Sequence, residues 1–389
     1  MSATTTERGT ASDTAGPRPG RPRVLLAPIT VTPSKPLTPS HLKGLLWTDV
    51  MYRATGLLAD VSYRYSPTTY HLTEQTLGFW EYLDRTVGDA DYSDLSEEQI
   101  GGLYVGYRAE PEKADAKALR PYAEAVEDAG WVHPAGARVL RLWRAHYARL
   151  GMHDPGLEAH QPPALSTRQA LDRLTELGFC LDLRACGGPV YLDATRHGLP
   201  LRQIVDADGR PNYLACMMRE LLPLVPDFDE VVLLYDRELE ADYQLVQRVL
   251  TAAGTTVRRV VLGRVPIDGR IRSARHGGWE GHTVGDLLAR AGDEGSEEAV
   301  LRLGMRLYFI AALGAGQQQS FRHEVLGQSL ARARRLLAGD RHPDPAPTAQ
   351  VLARHRKDHL HVNPYRLTSA LLARHRPAPA RRLLEAVYL

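Results

Sequence analysis

His41 and Lys43 stand where a Pro/Thr/Ser-rich stretch, residues 30–40, gives way to a segment with Leu42, Leu45, Leu46, Val50 and Leu57 at helical spacing. A short apolar run at residues 24–29 precedes the polar stretch and reads as a buried strand. Strand, polar loop and helix N-terminus with a histidine form a geometry that receives phosphate. The first-turn N–H groups and the helix dipole favour an anion, and a histidine adds a directed donor. Further on, Arg270, Arg272 and Arg275 crowd a loop that also carries Gly277 and Gly278. Arginines suit polydentate phosphate contacts, and paired glycines let a loop open and close. Asp236 follows the apolar run at residues 231–235, at a strand C-terminal end where it would meet a ligand amine. Each feature has an ordinary alternative: a surface or capping histidine, a solvated arginine loop, a helix cap at Asp236.

The elements needed to position these groups can be read around them. Residues 60–65 alternate as a second strand, which completes a β-α-β unit and favours a parallel sheet. Residues 71–86, 113–129 and 138–150 read as helices, and 166–178 as a helix capped by Ser166 and stopped by Gly178. A pair of short strands is expected around Gly187 and Gly188 within residues 179–194. Residues 231–235 and 257–262 flank a helix ending at Gly254, giving a second β-α-β unit. Helices follow at 297–312 and 323–337, then a Pro/Asp-rich linker at 340–348 and two short basic helices. The fold class is therefore α/β: a Rossmann-like parallel sheet split by a helical insertion at about 88–165, with a small α-helical C-terminal region. The expected division is a disordered leader at 1–22, a nucleotide-binding catalytic domain at 23–294 and a helical region with a basic tail at 295–389.

Composition narrows the function classes. With 389 residues, 43% of them hydrophobic, the chain can bury a large core. A net charge of +2 lacks the global signature of a DNA-binding protein. The basic tail after residue 341 reads more readily as a solvated helix than as an RNA clamp. Three scattered cysteines, Cys180, Cys186 and Cys216, suit reduced thiols in a cytoplasmic protein. No apolar run is long enough for a membrane span.

Four ordered blocks resemble the class I aminoacyl-tRNA synthetases, and within them the arginyl-tRNA synthetase catalytic domain. In the first, Lys35, Pro36, Leu37, His41, Leu42, Lys43 and Asp49 match the HIGH signature, with Thr38 in place of its first histidine and Ser40 in place of its glycine. Residues 205–214 resemble the family's Asp-Gly-x-x-x-Tyr stretch, and 231–254 the strand and helix ahead of its second signature. In residues 269–288, Arg275, Gly277, Gly278, Thr283, Val284, Asp286, Leu287 and Leu288 match the KMSKS-type loop and its continuation. Residues 328–337 resemble the start of the C-terminal helical domain.

The resemblance implies ATP with Mg²⁺. It implies catalytic roles for Thr38, His41, Arg272 and Arg275, and ATP contacts from Ser34, Lys35, Ser40, His41, Gly44, Asp49, Ser273, Gly277 and Gly278. It also implies a substrate pocket with Tyr213, Met217, Asp236, Leu239 and Asp242. Met217 stands where the family's aspartate binds a guanidinium, so arginine is not the expected substrate. No added N-terminal domain is seen, and about 50 residues after Leu337 are too few for an anticodon-binding domain. The expected protein is a ligase that activates an amino acid or related carboxylate as an adenylate. It would pass the acyl group to a small nucleophile without tRNA, in bacterial specialised metabolism. A tRNA-dependent truncated enzyme and a non-catalytic paralogue that binds a nucleotide or amino acid are the alternatives.

Overall fold

The computed structural model describes residues 20–271, 277–293, 297–316, 319–339, 347–373 and 381–389. The chain enters through β1 (Arg23–Pro28), helix α1 (Pro39–Gly56) and β2 (Asp60–Tyr63). β1 and β2 are parallel, with Val24 opposite Val61. The expected opening unit is therefore present. α1 starts where the sequence directs it. Thr38 is an extended N-cap, Pro39 occupies the first turn, and no acid sits in that turn. Hence no side chain of its own first turn offsets the positive end of the helix dipole. The helix is buried nearly all round, through Leu42, Leu46, Val50, Met51 and Ala54.

Between β2 and the next strand of the same sheet the chain makes a long excursion. It runs through α2 (Pro67–His71), α3 (Glu74–Thr86), α4 (Glu97–Ala109), α5 (Ala116–Ala129), α6 (Pro134–Leu150) and α7 (Thr167–Glu176). α7 is capped as the sequence predicts. Ser166 and Gln169 form a capping box, and Gly178 adopts φ +72°, where a side chain would strain the backbone. Three antiparallel strands follow: β3 (Cys180–Asp182), β4 (Val190–Leu192) and β5 (Arg202–Val205). The sequence reading expects the first two. It misses β5, whose apolar signal is only Ile204 and Val205. Helix α8 (Tyr213–Leu221) then leads back to the main sheet.

β6 (Glu230–Asp236), α9 (Glu240–Ala252) and β7 (Thr256–Leu262) complete the parallel sheet in the order β2-β1-β6-β7. Successive residues of β1 face opposite layers. Val24 and Leu26 pack with Met51 of α1, whereas Leu25 and Ala27 join Met218 of α8 and Val246 of α9. The C-terminal part comprises α10 (Val284–Asp293), α11 (Glu298–Arg306), a π-helical turn (Leu307–Ala312), α12 (His323–Ala338), α13 (Thr348–Ala353), α14 (Pro364–Ser369) and α15 (Arg381–Tyr388). Among the described residues, three short helices occupy the region where two were expected. α15 buries Leu383, Leu384, Val387 and Tyr388 in a cluster that also contains Leu46 and Val50 of α1. His361 and the Leu360 backbone hold the Glu230 carboxylate at the start of β6, opposite the sheet edge that carries the cavity described below. The expected leader (apart from residues 20–22) and most of the expected 340–348 linker lie outside the described residues. Among the described residues no helix is long and apolar enough to cross a membrane.

Candidate functional site

A cavity of about 490 Å³ opens at the C-terminal ends of β1, β6 and β7. In an open parallel sheet this is where ligands collect. Its mouth is the first turn of α1. His41 Nδ1 accepts the Thr38 backbone N–H at 3.1 Å and lies 3.2 Å from the Thr38 hydroxyl. Accepting at Nδ1 leaves Nε2 to carry the proton of the neutral ring. Among the described residues nothing accepts a hydrogen bond from Nε2. Burial, and then the charges of Lys35 and Arg264, push the His41 pKa down to about 3. At neutral pH the ring is therefore an uncharged N–H donor among cations.

The other groups at the mouth come from separate segments. Lys35 lies over the Tyr104 ring, 5.2 Å from its centroid. Arg264, just beyond β7, pairs with Asp236 at 3.0 Å and with Glu238 at 2.5 Å. Ser40 turns its hydroxyl to the Val265 N–H at 3.0 Å, which ties the helix start to the end of β7. Gly44 also lines the cavity, and a Cβ there would meet nothing within 4 Å. Lys43 lies beneath, donating to the Gly263 and Gly316 carbonyls at 2.9 and 2.6 Å. Burial lowers its pKa to about 8, against the pull of Asp236.

The deep end is lined by Tyr70, Tyr213, Tyr235, Tyr243 and Leu239. Tyr213 donates to Asp242, whose carboxylate is also held by Arg202 at 2.9 and 3.1 Å. Asp242 thus supports Tyr213 from behind. Met217 belongs to the apolar cluster under α8 and faces a separate 20 Å³ void, shared with Glu220 and Arg64 and walled by Tyr70. Glu220 is itself bound to Arg64 and to the Thr69 hydroxyl.

Of the residues singled out from the sequence, Lys35, Thr38, Ser40, His41, Gly44, Tyr213, Asp236 and Leu239 line one cavity. Asp49 does not. It is buried against Arg306 at 2.5 Å and Arg53 at 3.1 Å and accepts the His153 N–H. Ser34 is buried outside the lining, and its hydroxyl has no partner among the described residues. Arg272, Ser273 and Arg275 lie outside the described residues. Gly277 and Gly278 both adopt positive φ, +77° and +76°, and lead to buried Trp279. Beyond them the Val284 N–H donates to the Leu37 carbonyl at 2.8 Å, while the Leu37 N–H goes to Glu97. The segment that follows the glycine pair is therefore fastened to the loop carrying Lys35 and Thr38. Sequence reasoning missed Arg264, Tyr70 and Tyr243. Only Arg264 carried a signal, as a cation two residues past a parallel strand.

No family model matches the chain, and no curated protein matches its sequence. Solved structures do match in fold, and what they define is a class I synthetase-like fold of the arginyl type. Arginyl-tRNA synthetase from Thermus thermophilus is 17% identical, with a TM-score of 0.60 over 96% of this chain and 80% of that one. A putative arginyl-tRNA synthetase from Campylobacter jejuni is 13% identical, with a TM-score of 0.49 over 75% of this chain and 64% of that one. Arginyl-tRNA synthetase from Plasmodium falciparum is 11% identical, with a TM-score of 0.45 over 84% of this chain and 52% of that one. The Thermus structure alone carries the statement about the fold.

Proposed function

We propose that the protein is an ATP-dependent ligase that activates an amino acid other than arginine, or a related carboxylate, as an adenylate. It then passes the acyl group to a small nucleophile without tRNA. The observation that carries this reading is the helix mouth, where His41 is a neutral Nε2–H donor at the positive end of an 18-residue helix. In adenylate formation a carboxylate oxygen attacks the α-phosphorus and the bond to pyrophosphate breaks. Negative charge grows on the phosphoryl oxygens. Fixed amides, a neutral imidazole donor and the cations Lys35 and Arg264 stabilise that charge without moving a proton. Asp236 Oδ2 is engaged by Arg264, and we assign Oδ1 to the substrate ammonium. Among the described residues no group of three His, Cys, Asp or Glu could hold a metal, so Mg²⁺ is expected on the nucleotide phosphates. Arginine is disfavoured because Met217 supplies no carboxylate and Glu220 already holds Arg64.

ATP–pyrophosphate exchange over a panel of amino acids, with and without bulk tRNA, tests the reading. Exchange without tRNA and without arginine supports it. Exchange only with tRNA favours a tRNA-dependent enzyme, a second reading prompted by Arg354, His355 and Arg366 around an open hollow of about 700 Å³ on the C-terminal helices. No exchange under either condition would leave a binding paralogue.

A further inference from the structure

The deep end of the cavity carries its own selectivity signal, and reading it rests on the amino-acid-activation proposal above. Three tyrosines converge there from three different helices: Tyr70 from α2, Tyr213 from α8 and Tyr243 from α9. The Tyr70 hydroxyl bonds Thr30 and the Tyr213 hydroxyl bonds Asp242. Tyr243 differs. Its ring stacks on Tyr235 at 4.1 Å and 13°, and only 1% of the residue is exposed. Its hydroxyl makes no hydrogen bond among the described residues, although the side chain lines the cavity. Reached from the cavity, that hydroxyl is available to pair with a polar group of a ligand.

The carboxylates near this end are already matched. Asp242 is held by Arg202, Asp206 by Arg210 and, behind the Tyr70 wall, Glu220 by Arg64, while Asp236 is held by Arg264 at Oδ2 with its Oδ1 assigned above to the substrate α-ammonium. The remaining carboxylate of the lining, Glu74, lies exposed at the rim. A cationic side chain reaching the floor would find no carboxylate without its own arginine, and an uncompensated buried charge is expensive. We propose that the pocket selects an amino acid whose uncharged side chain carries a hydroxyl or amide that pairs with the Tyr243 hydroxyl, and that it rejects lysine and arginine. A site built around a hydrogen-bonding group discriminates against the isostere lacking that group far better than an apolar pocket does.

Titration calorimetry on the full chain tests this without requiring turnover. The probes are serine, threonine, asparagine and glutamine, the isosteres alanine, valine and leucine, and lysine and arginine, each with and without a non-hydrolysable ATP analogue. At least one hydroxyl or amide amino acid is expected to bind about tenfold or more tighter than its isostere, with lysine and arginine not detected. Tyr243→Phe keeps the stacked ring and should lower the affinity for the polar member by about tenfold, collapsing the difference. Thermal unfolding of the variant confirms that it folds. Preferred binding of lysine or arginine, equal binding of the isosteres, an unchanged preference in Tyr243→Phe, or nucleotide binding with no amino acid bound would each overturn the proposal. Binding in the expected order without pyrophosphate exchange would remove the activation reading and leave the pocket assignment standing. Exchange supported best by lysine would remove the pocket assignment and leave the activation reading standing.

Discussion

At the mouth of the cavity Lys35 and a helix dipole bear on an uncharged histidine, with Arg264 lying between that ring and the Asp236 and Glu238 carboxylates, whereas at its floor Asp242 and Asp206 are each matched by an arginine of the chain itself. The mouth carries an excess of positive potential that an anion would complete. Lys35 and Arg264 are close enough to press the His41 pKa below its burial-shifted value, in keeping with a positive potential there. The floor is balanced in charge and short only of one hydrogen bond, at Tyr243. One cavity thus presents an anion-receiving end and an uncharged end. That polarity suits an amino-acid adenylate, with its phosphate at α1 and its side chain among the tyrosines.

The largest expected effect tests whether Asp49 belongs to the charge-receiving mouth or to the internally matched interior. Arg306 is fully buried and relies on Asp49 and on the Leu150 and Arg302 carbonyls. Asp49→Ala should therefore destabilise the protein by about 3–5 kcal/mol, read by chemical denaturation. In the fraction that remains folded, nucleotide affinity should stay within about twofold, since the Asp49 carboxylate shares no partner with the cavity. A collapse of nucleotide affinity with stability intact would move Asp49 to the mouth and dissolve the distinction.

His41→Ala is expected next in size. Removing one preorganised donor from a site of developing charge costs about 10²–10³ in turnover. Pyrophosphate exchange should fall by that factor while the melting temperature moves only a few degrees, since the ring contributes a single capping contact to Thr38. Wild-type exchange in this variant would show that the mouth's excess charge serves something other than catalysis.

These two residues also show what the sequence made legible. Thr38, His41 and Gly44 occupy one helical face at a strand–loop–helix junction, so a local pattern locates them. Asp49 follows Thr48, which still lines the cavity, but a further ~100° around the helix turns it to Arg306 and Arg53 instead, whatever its motif position suggests. β6 could be read because a strand buried within a parallel sheet is a continuous apolar run. β5 could not, because a short edge strand of an antiparallel sheet carries only two buried residues. The seating of α15 against α1 was hidden as well. The helix has only eight residues and opens on Arg381 and Arg382, while Leu383, Leu384 and Val387 supply the packing. The tyrosine floor has no local signature at all. It is assembled from segments more than 140 residues apart, and only the crossover from β2 to β6 brings them together.

The smallest effect compares two histidines, one at the mouth and one in the core behind Tyr70. His41 and His71 both have pKa values pushed down to about 3, for different reasons. Burial and positive neighbours act on His41. Burial alone acts on His71, which follows Tyr70 and packs against Trp80 with neither ring nitrogen bonded among the described residues. In both, the folded value lies below the unfolded one near 6.5, so the unfolded chain binds protons that the folded chain refuses. The stability they contribute is therefore fully present above about pH 6.5 and is lost as pH falls towards 3. An anion at the mouth cancels part of the positive potential on His41 and raises its pKa, but leaves His71 in its apolar setting. Nucleotide binding should accordingly take up a fraction of a proton near pH 5 and almost none at pH 7.5. Calorimetry in buffers of different ionisation enthalpy measures that uptake. It should vanish in His41→Asn and persist in His71→Phe. Uptake that followed His71 instead would place the bound charge at the floor and reverse the polarity assigned to the cavity.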